Sequence, residues 1–130
     1  MRKSIPVDQA EGRDKGKIYI ITEWPARKAA NWGVRATIAL ARAGATLAPD
    51  AKGGMGALVQ FGGVGSMLMY IDSNEITALL DELMECVRFQ PAKDKDFVRD
   101  MVDDDIEEPA TVMWLQQEVF ALHTGFTMAE

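Results

Sequence analysis

Two side chains in this sequence have the types needed for a nucleophile and its base: Cys86, the single cysteine, and His123, the single histidine. An imidazole beside a thiol can take its proton and leave a nucleophilic thiolate. The surroundings argue against that chemistry. Cys86 follows Leu79, Leu80 and Leu83 in a leucine-rich stretch, where a small buried thiol is the commoner arrangement. His123 stands near the end of the last apolar stretch, a position that suits packing or contact with terminal helix carbonyls. One cysteine and one histidine, far apart in sequence, give no zinc-ligand spacing. Gly53-Gly54-Met55-Gly56 and Phe61-Gly62-Gly63-Val64-Gly65 lack the Gly-Lys-Ser/Thr ending and the strand–helix frame that let glycine loops hold phosphates. Asp103-Asp104-Asp105 lacks the glycine and terminal glutamate of a calcium loop and reads as solvated charge or helix capping. The expectation is a protein with no catalytic residue, metal or cofactor, and a small cysteine-dependent hydrolase is the weaker alternative.

What the chain does carry is contact chemistry. It has three tryptophans and eight methionines in 130 residues. Tryptophan is enriched at interface centres, and methionine suits surfaces that re-pack around different partners. Trp32 and Trp114 are expected in the core, whereas Met55, Met67 and Met69, beside the glycines, are expected at an interface. The net charge of −6 and pI near 4.8 argue against nucleic-acid binding, which depends on clustered cations. The charge is also divided. From 24 to 44 there are four basic residues (Arg27, Lys28, Arg35, Arg42) and no acidic one; from 100 to 108 there are six acidic residues and no basic one. Either these are two solvated faces, or they attract each other within one subunit or between subunits of a homo-oligomer.

The elements that would position these groups are mainly helical. Residues 1–16 are polar and charged and read as a flexible arm. Residues 17–22 (KIYIIT) are β-branched and aromatic, enough for one short strand. Thr22-Glu23-Trp24-Pro25 then opens an alanine-rich helix over 25–43, with proline in the first turn and Gly44 as a left-handed stop. The stretch 45–66, rich in Gly, Ala and Pro, is expected to be a flexible loop, with a short apolar helix near 56–61. A helix over 73–89 is the clearest element. Asp72 or Ser73 can cap it, and Ile76, Leu79, Leu80, Leu83, Met84 and Val87 recur at three- and four-residue spacing. Residues 93–105 are charged and expected to be extended. Glu107-Glu108-Pro109 opens a last helix over 108–124, striped by Val112, Leu115, Val119 and Leu122. Core positions should include Ile38, Leu40, Ile76, Leu80, Leu83, Val87, Val112, Leu115, Val119 and Leu122. The expected fold is a single mainly α domain over 17–126, of about three main helices with one or two short strands. No apolar run approaches the roughly 18 residues that cross a bilayer, the start lacks a secretion signal, and one cysteine suits a reducing compartment. Cytoplasm is the expected location, with no membrane partner.

Three segments in this order resemble the tail assembly chaperones of long-tailed bacteriophages and prophages. They are Ile21-Thr22-Glu23-Trp24-Pro25-Ala26 leading into an alanine-rich helix, Leu79-Leu80-Asp81-Glu82-Leu83, and Val102-Asp103-Asp104-Asp105-Ile106-Glu107-Glu108 followed by a helix ending Glu118-Val119-Phe120-Ala121-Leu122-His123-Thr124-Gly125-Phe126. The likeness spans about residues 18–126; the glycine-rich stretch and the charged arm depart from it. It implies a protein that binds the tape measure protein, keeps that long helical chain soluble in the host cytoplasm, helps recruit tail tube proteins, and is absent from the finished virion. Many members also have a longer frameshifted form. Another phage structural or adaptor protein, such as a head–tail connector component or an antitoxin-like regulator, is the alternative. A helical client needs a groove or patch. The helices at 25–43 and 108–124 are the expected surfaces, with Trp24, Met113 and Phe120 as anchors and Arg27 and Lys28 as steering charges.

Overall fold

The computed structural model describes residues 2–44, 58, 63–91 and 97–124. Its first strand, β1 (Ser4–Asp8), lies in the expected arm. It alternates exposed Ser4, Pro6 and Asp8 with half-buried Ile5 and Val7, the two-residue period of a strand with one face covered. Pro6 cannot donate to a ladder, so it fits only a strand at a sheet edge, and β1 is that edge. Residues 9–17 turn the chain back, with Gly16 N–H donating to the Gln9 carbonyl at 2.9 Å. Gly12 and Gly16 have φ of +76° and +85°, which other residues adopt only with strain. Strand β2 (Ile18–Thr22) pairs antiparallel with β1, Ile5 opposite Ile21 and Val7 opposite Tyr19.

Helix α1 (Ala26–Arg42) follows Pro25 and stops at Gly44, whose φ of +92° makes it the left-handed stop expected of it. Residues 45–57 and 59–62, which carry most of the expected glycine-rich loop, its short helix and Met55, lie outside the described residues. Leu58 is helical and fully buried. The end of that expected loop is instead helix α2 (Gly63–Tyr70). Helix α3 (Ser73–Leu83) is capped by Asp72, whose carboxylate accepts the Asn74 N–H at 3.1 Å. A single 3-10 turn (Met84–Cys86) ends it, and the chain extends into β3 (Val87–Gln90). The expected helix over 73–89 is therefore six residues too long. β3 runs antiparallel beside β2, Phe89 opposite Tyr19 and Val87 opposite Ile21. Of the expected extended stretch over 93–105, residues 93–96 lie outside the description, β4 (Arg99–Asp100) pairs with β3, and Asp103–Asp105 form a 3-10 turn. Helix α4 (Pro109–Thr124) completes the chain as described.

The architecture is thus α+β, not mainly α. An antiparallel sheet in the order β1-β2-β3-β4 packs with four helices among the described residues. Tyr19, Ile21, Val87 and Phe89 turn one sheet face into the core, where the Trp114 ring stands edge-on to Tyr19 at 6.5 Å. Trp32, Leu40, Leu58, Met67, Leu83, Leu115, Val119 and Leu122 fill the space between sheet and helices. Each such side chain adds roughly 1.5–3 kcal/mol by leaving water. Eight of the ten expected core positions are buried; Val112 is half-buried, and Ile38 is 52% exposed.

Candidate functional site

The basic residues of α1 and the acidic run over 100–108 form no ion pair with each other among the described residues; each has other partners. Lys28, Arg35 and Arg42 recur every seven residues along one face of α1. They meet Glu85, Glu82 and Glu75 of the α3 region in reverse order, at 2.6, 2.5 and 2.5 Å. Arg35 and Glu82 form a two-pronged pair, which holds the Glu82 carboxyl below its usual range. Lys28 also lies 5.6 Å from the Trp24 ring centroid. Both its neighbours are internal, so it is less free for a partner than expected. Arg27 is exposed and makes no ion pair with a described residue.

The acidic run is tied to the first hairpin. Asp14 is fully buried. Its carboxylate accepts hydrogen bonds from the Thr111 hydroxyl (2.7 Å), Lys17 Nζ (2.9 Å) and the N–H groups of Glu107 (2.9 Å) and Glu108 (3.1 Å), at the start of α4. Burial alone would raise its pKa, but these four donors together outweigh it and hold the carboxyl well below the usual range. Arg13 N–H and the Glu108 carboxylate close the same junction. Arg99 grips Asp105 with two bonds, at 2.7 and 2.9 Å, and the Tyr19 hydroxyl donates to the Asp105 carbonyl at 3.0 Å.

Two of the expected partner anchors are core residues. Trp24 is 6% exposed and Phe120 7%. Their rings flank Trp32 at centroid distances of 6.2 and 6.1 Å, and Trp32 Nε1 donates to the Leu79 carbonyl at 2.9 Å. A tryptophan before a helix and a phenylalanine on a broad apolar face look alike in sequence whether they face a partner or the core. Here both fill the corner where α1 and α4 meet.

The same corner gathers Cys86 and His123 around the Trp24 backbone. The Trp24 N–H donates to His123 Nε2 at 2.8 Å, which leaves His123 Nδ1–H to donate to the Val119 carbonyl at 2.9 Å. His123 is therefore a neutral imidazole with its basic nitrogen occupied. Burial pushes the Cys86 thiol up to about 12, with Glu85 adding to the rise. The thiol is thus protonated near neutrality, and His123 Nε2 already accepts the Trp24 N–H. Thiol reagents should label Cys86 in the unfolded chain but only at the rate of structural opening in the folded one. Prompt labelling near pH 8 would refute this.

Burial also lowers the His123 pKa below its ordinary value of about 6.5. The folded state thus prefers the neutral ring more than the unfolded state does. His123's contribution to stability is present above about pH 6.5 and is lost as pH falls through the lower folded-state value. Thermal melts from pH 7.5 to 5 should show a decline that His123→Gln removes. An equal decline in that variant would assign it to other groups.

Met113, the remaining expected anchor, is 48% exposed and lines an open groove of about 860 Å³ between α3 and α4. Leu68 of α2 stands at the same rim, and Leu80, Ile106 and Val112 also line the groove. Of the two described methionines expected at an interface, Met67 is fully buried and Met69 is 80% exposed, between exposed Leu68 and Tyr70 in the sequence of α2. Leu68, Met69, Tyr70 and Met113 are large apolar side chains in water. Of these, Leu68 and Met113 share the rim of one groove, and exposed apolar groups that lie together on a monomer mark interaction sites.

A family model described as phage tail assembly chaperone protein, TAC, matches residues 15–123. No curated protein and no solved structure matches the chain.

Proposed function

The chain belongs to the phage tail assembly chaperone family, and from that premise we propose that it binds the tape measure protein, keeps it soluble in the host cytoplasm and helps recruit tail tube subunits, acting by contact and not by catalysis. It leaves before the virion is complete. The observation that carries this reading is the exposed apolar rim of the α3–α4 groove, Leu68 and Met113, on a domain whose other large apolar groups are mostly packed inside. Such a rim can shield the apolar stripe of a helical client from aggregation.

Co-expression of the tape measure protein with and without this chain tests the reading. The client should move from the insoluble to the soluble fraction and co-purify with the chain. If client solubility is unchanged and nothing co-purifies, the reading fails.

A further inference from the structure

The groove does not end at α3 and α4. It runs past Asp81 into a second hollow of about 610 Å³, between the end of α3, β3 and residues 100–106. The two hollows share Asp81, Ile106 and Val112. Methionines stand along this length, with Met113 at one end and Met84 and Met101 at the other. The charge along it is one-sided. Its described lining includes Asp81, Glu85, Asp100, Asp103, Glu107 and Glu108, against Arg88 alone as a cation. Glu85, Asp100, Glu107 and Glu108 have internal partners. Asp81, at the join, and Asp103 form no ion pair with a described residue.

We propose that this continuous groove is the client seat, and that its occupant is an amphipathic helix of the client with lysine or arginine flanking its apolar stripe. The inference rests on the chaperone reading, which supplies a helical client. It adds the surface and the charge of the segment bound. Apolar side chains of such a helix fill the Leu80–Ile106–Val112 floor, while its cations meet Asp81 and Asp103. Methionine side chains bend to fit stripes of different shape, so the seat can serve successive segments of a long client. The opposite charge pattern is disfavoured, because an acidic helix would bring like charges to a rim already short of cations. The basic face of α1 is not the seat, since its regular row of cations is already matched by Glu75, Glu82 and Glu85.

Two synthetic helical peptides test this. They share one leucine–methionine stripe and differ only in flanking lysines or flanking glutamates. Titrated calorimetrically into the full chain at low salt, the lysine peptide should bind roughly tenfold tighter, and added salt should erode that advantage. Asp81→Lys combined with Asp103→Lys should remove the discrimination without lowering the melting temperature, because both sites are exposed. Met113→Asp should weaken both peptides. Equal binding of the two peptides, binding of neither, or full discrimination by the double variant would each overturn the proposal. Co-purification of the tape measure protein separates it from the broader reading. If the native chain and the double variant retain the client equally, the groove assignment falls and the chaperone reading stands. If the native chain selects the lysine peptide but never retains the tape measure protein, the chaperone reading falls, and what stands is a groove that prefers a basic amphipathic helix from another partner.

Discussion

Trp32→Ala should destabilise the domain by about 3–5 kcal/mol, the range for removing a large aromatic from a closed core. Trp32 is fully buried between the Trp24 and Phe120 rings, so its loss opens a cavity that both neighbours border. It also removes the indole donor from the Leu79 carbonyl. A domain of this size has total stability of roughly 5–15 kcal/mol, so the variant should populate unfolded chain at moderate temperature. Trp32→Phe keeps most of the apolar contact but still strips that donor, and should cost less. Urea titration with a constant slope measures both. A loss below about 1 kcal/mol for the alanine variant would show that the corner collapses around the gap, and that the cluster is not the keystone of the α1–α4 contact. The same geometry revises what Trp24→Ala and Phe120→Ala should do. As exposed anchors they would weaken client binding and leave the fold intact. As core residues they should lower the melting temperature first, and any loss of binding should follow from that.

How much of this was legible in the sequence depends on how local the deciding interaction is. The helices at 26–42 and 109–124 could be read within about a residue, since proline, glycine and apolar spacing all act inside one segment. β3 could not. Val87 stands four residues after Leu83 and so continues the helical stripe, and what turns the chain into a strand is β2, almost seventy positions earlier. β1 was hidden by its edge position. Its exposed face is polar and it contains Pro6, both of which look like an unstructured arm until the alternation of Ile5 and Val7 is weighed with Gly12 and Gly16. Ile38 looks like a core position because α1 is rich in alanine, which marks no stripe; Trp32, Ala36, Ala39 and Leu40 define the buried face instead. The ion-pair row did leave a trace. Cations at 28, 35 and 42 are a heptad apart, and carboxylates at 75, 82 and 85 follow a matching face of α3 and the turn after it. The groove left less. Met113 stands out from the broad apolar face of its helix, but Asp81 and Asp103 come together only through the packing of α3 against the segment before α4.

Asp14→Ala should cost about 3 kcal/mol, although the residue lies in a stretch that reads as a loose arm, because it leaves several buried donors without an acceptor. The Thr111 hydroxyl, the Glu107 and Glu108 N–H groups and Lys17 all aim at that one carboxylate. Asp14→Asn keeps one acceptor oxygen but puts an amide donor among donors, so it should recover little. Lys17→Met should cost less, since Lys17 is only partly buried and its loss leaves the carboxylate three partners. The dependence on pH has a definite sign. The folded Asp14 carboxyl titrates below the unfolded value near 3.9. Its contribution is therefore full above about pH 4 and disappears as acid takes the pH down through the folded value. Native chain and Asp14→Ala should differ most in melting temperature near neutrality and converge in strong acid, and a constant gap would refute the linkage. The family match begins at residue 15, past both β1 and Asp14. A chain cut to the matched residues would lose the edge strand and the acceptor that fixes the start of α4, which forms one wall of the groove. Such a truncation should melt well below the full chain, and hydrogen exchange should show the first turn of α4 opening before the α1–α3 contact does.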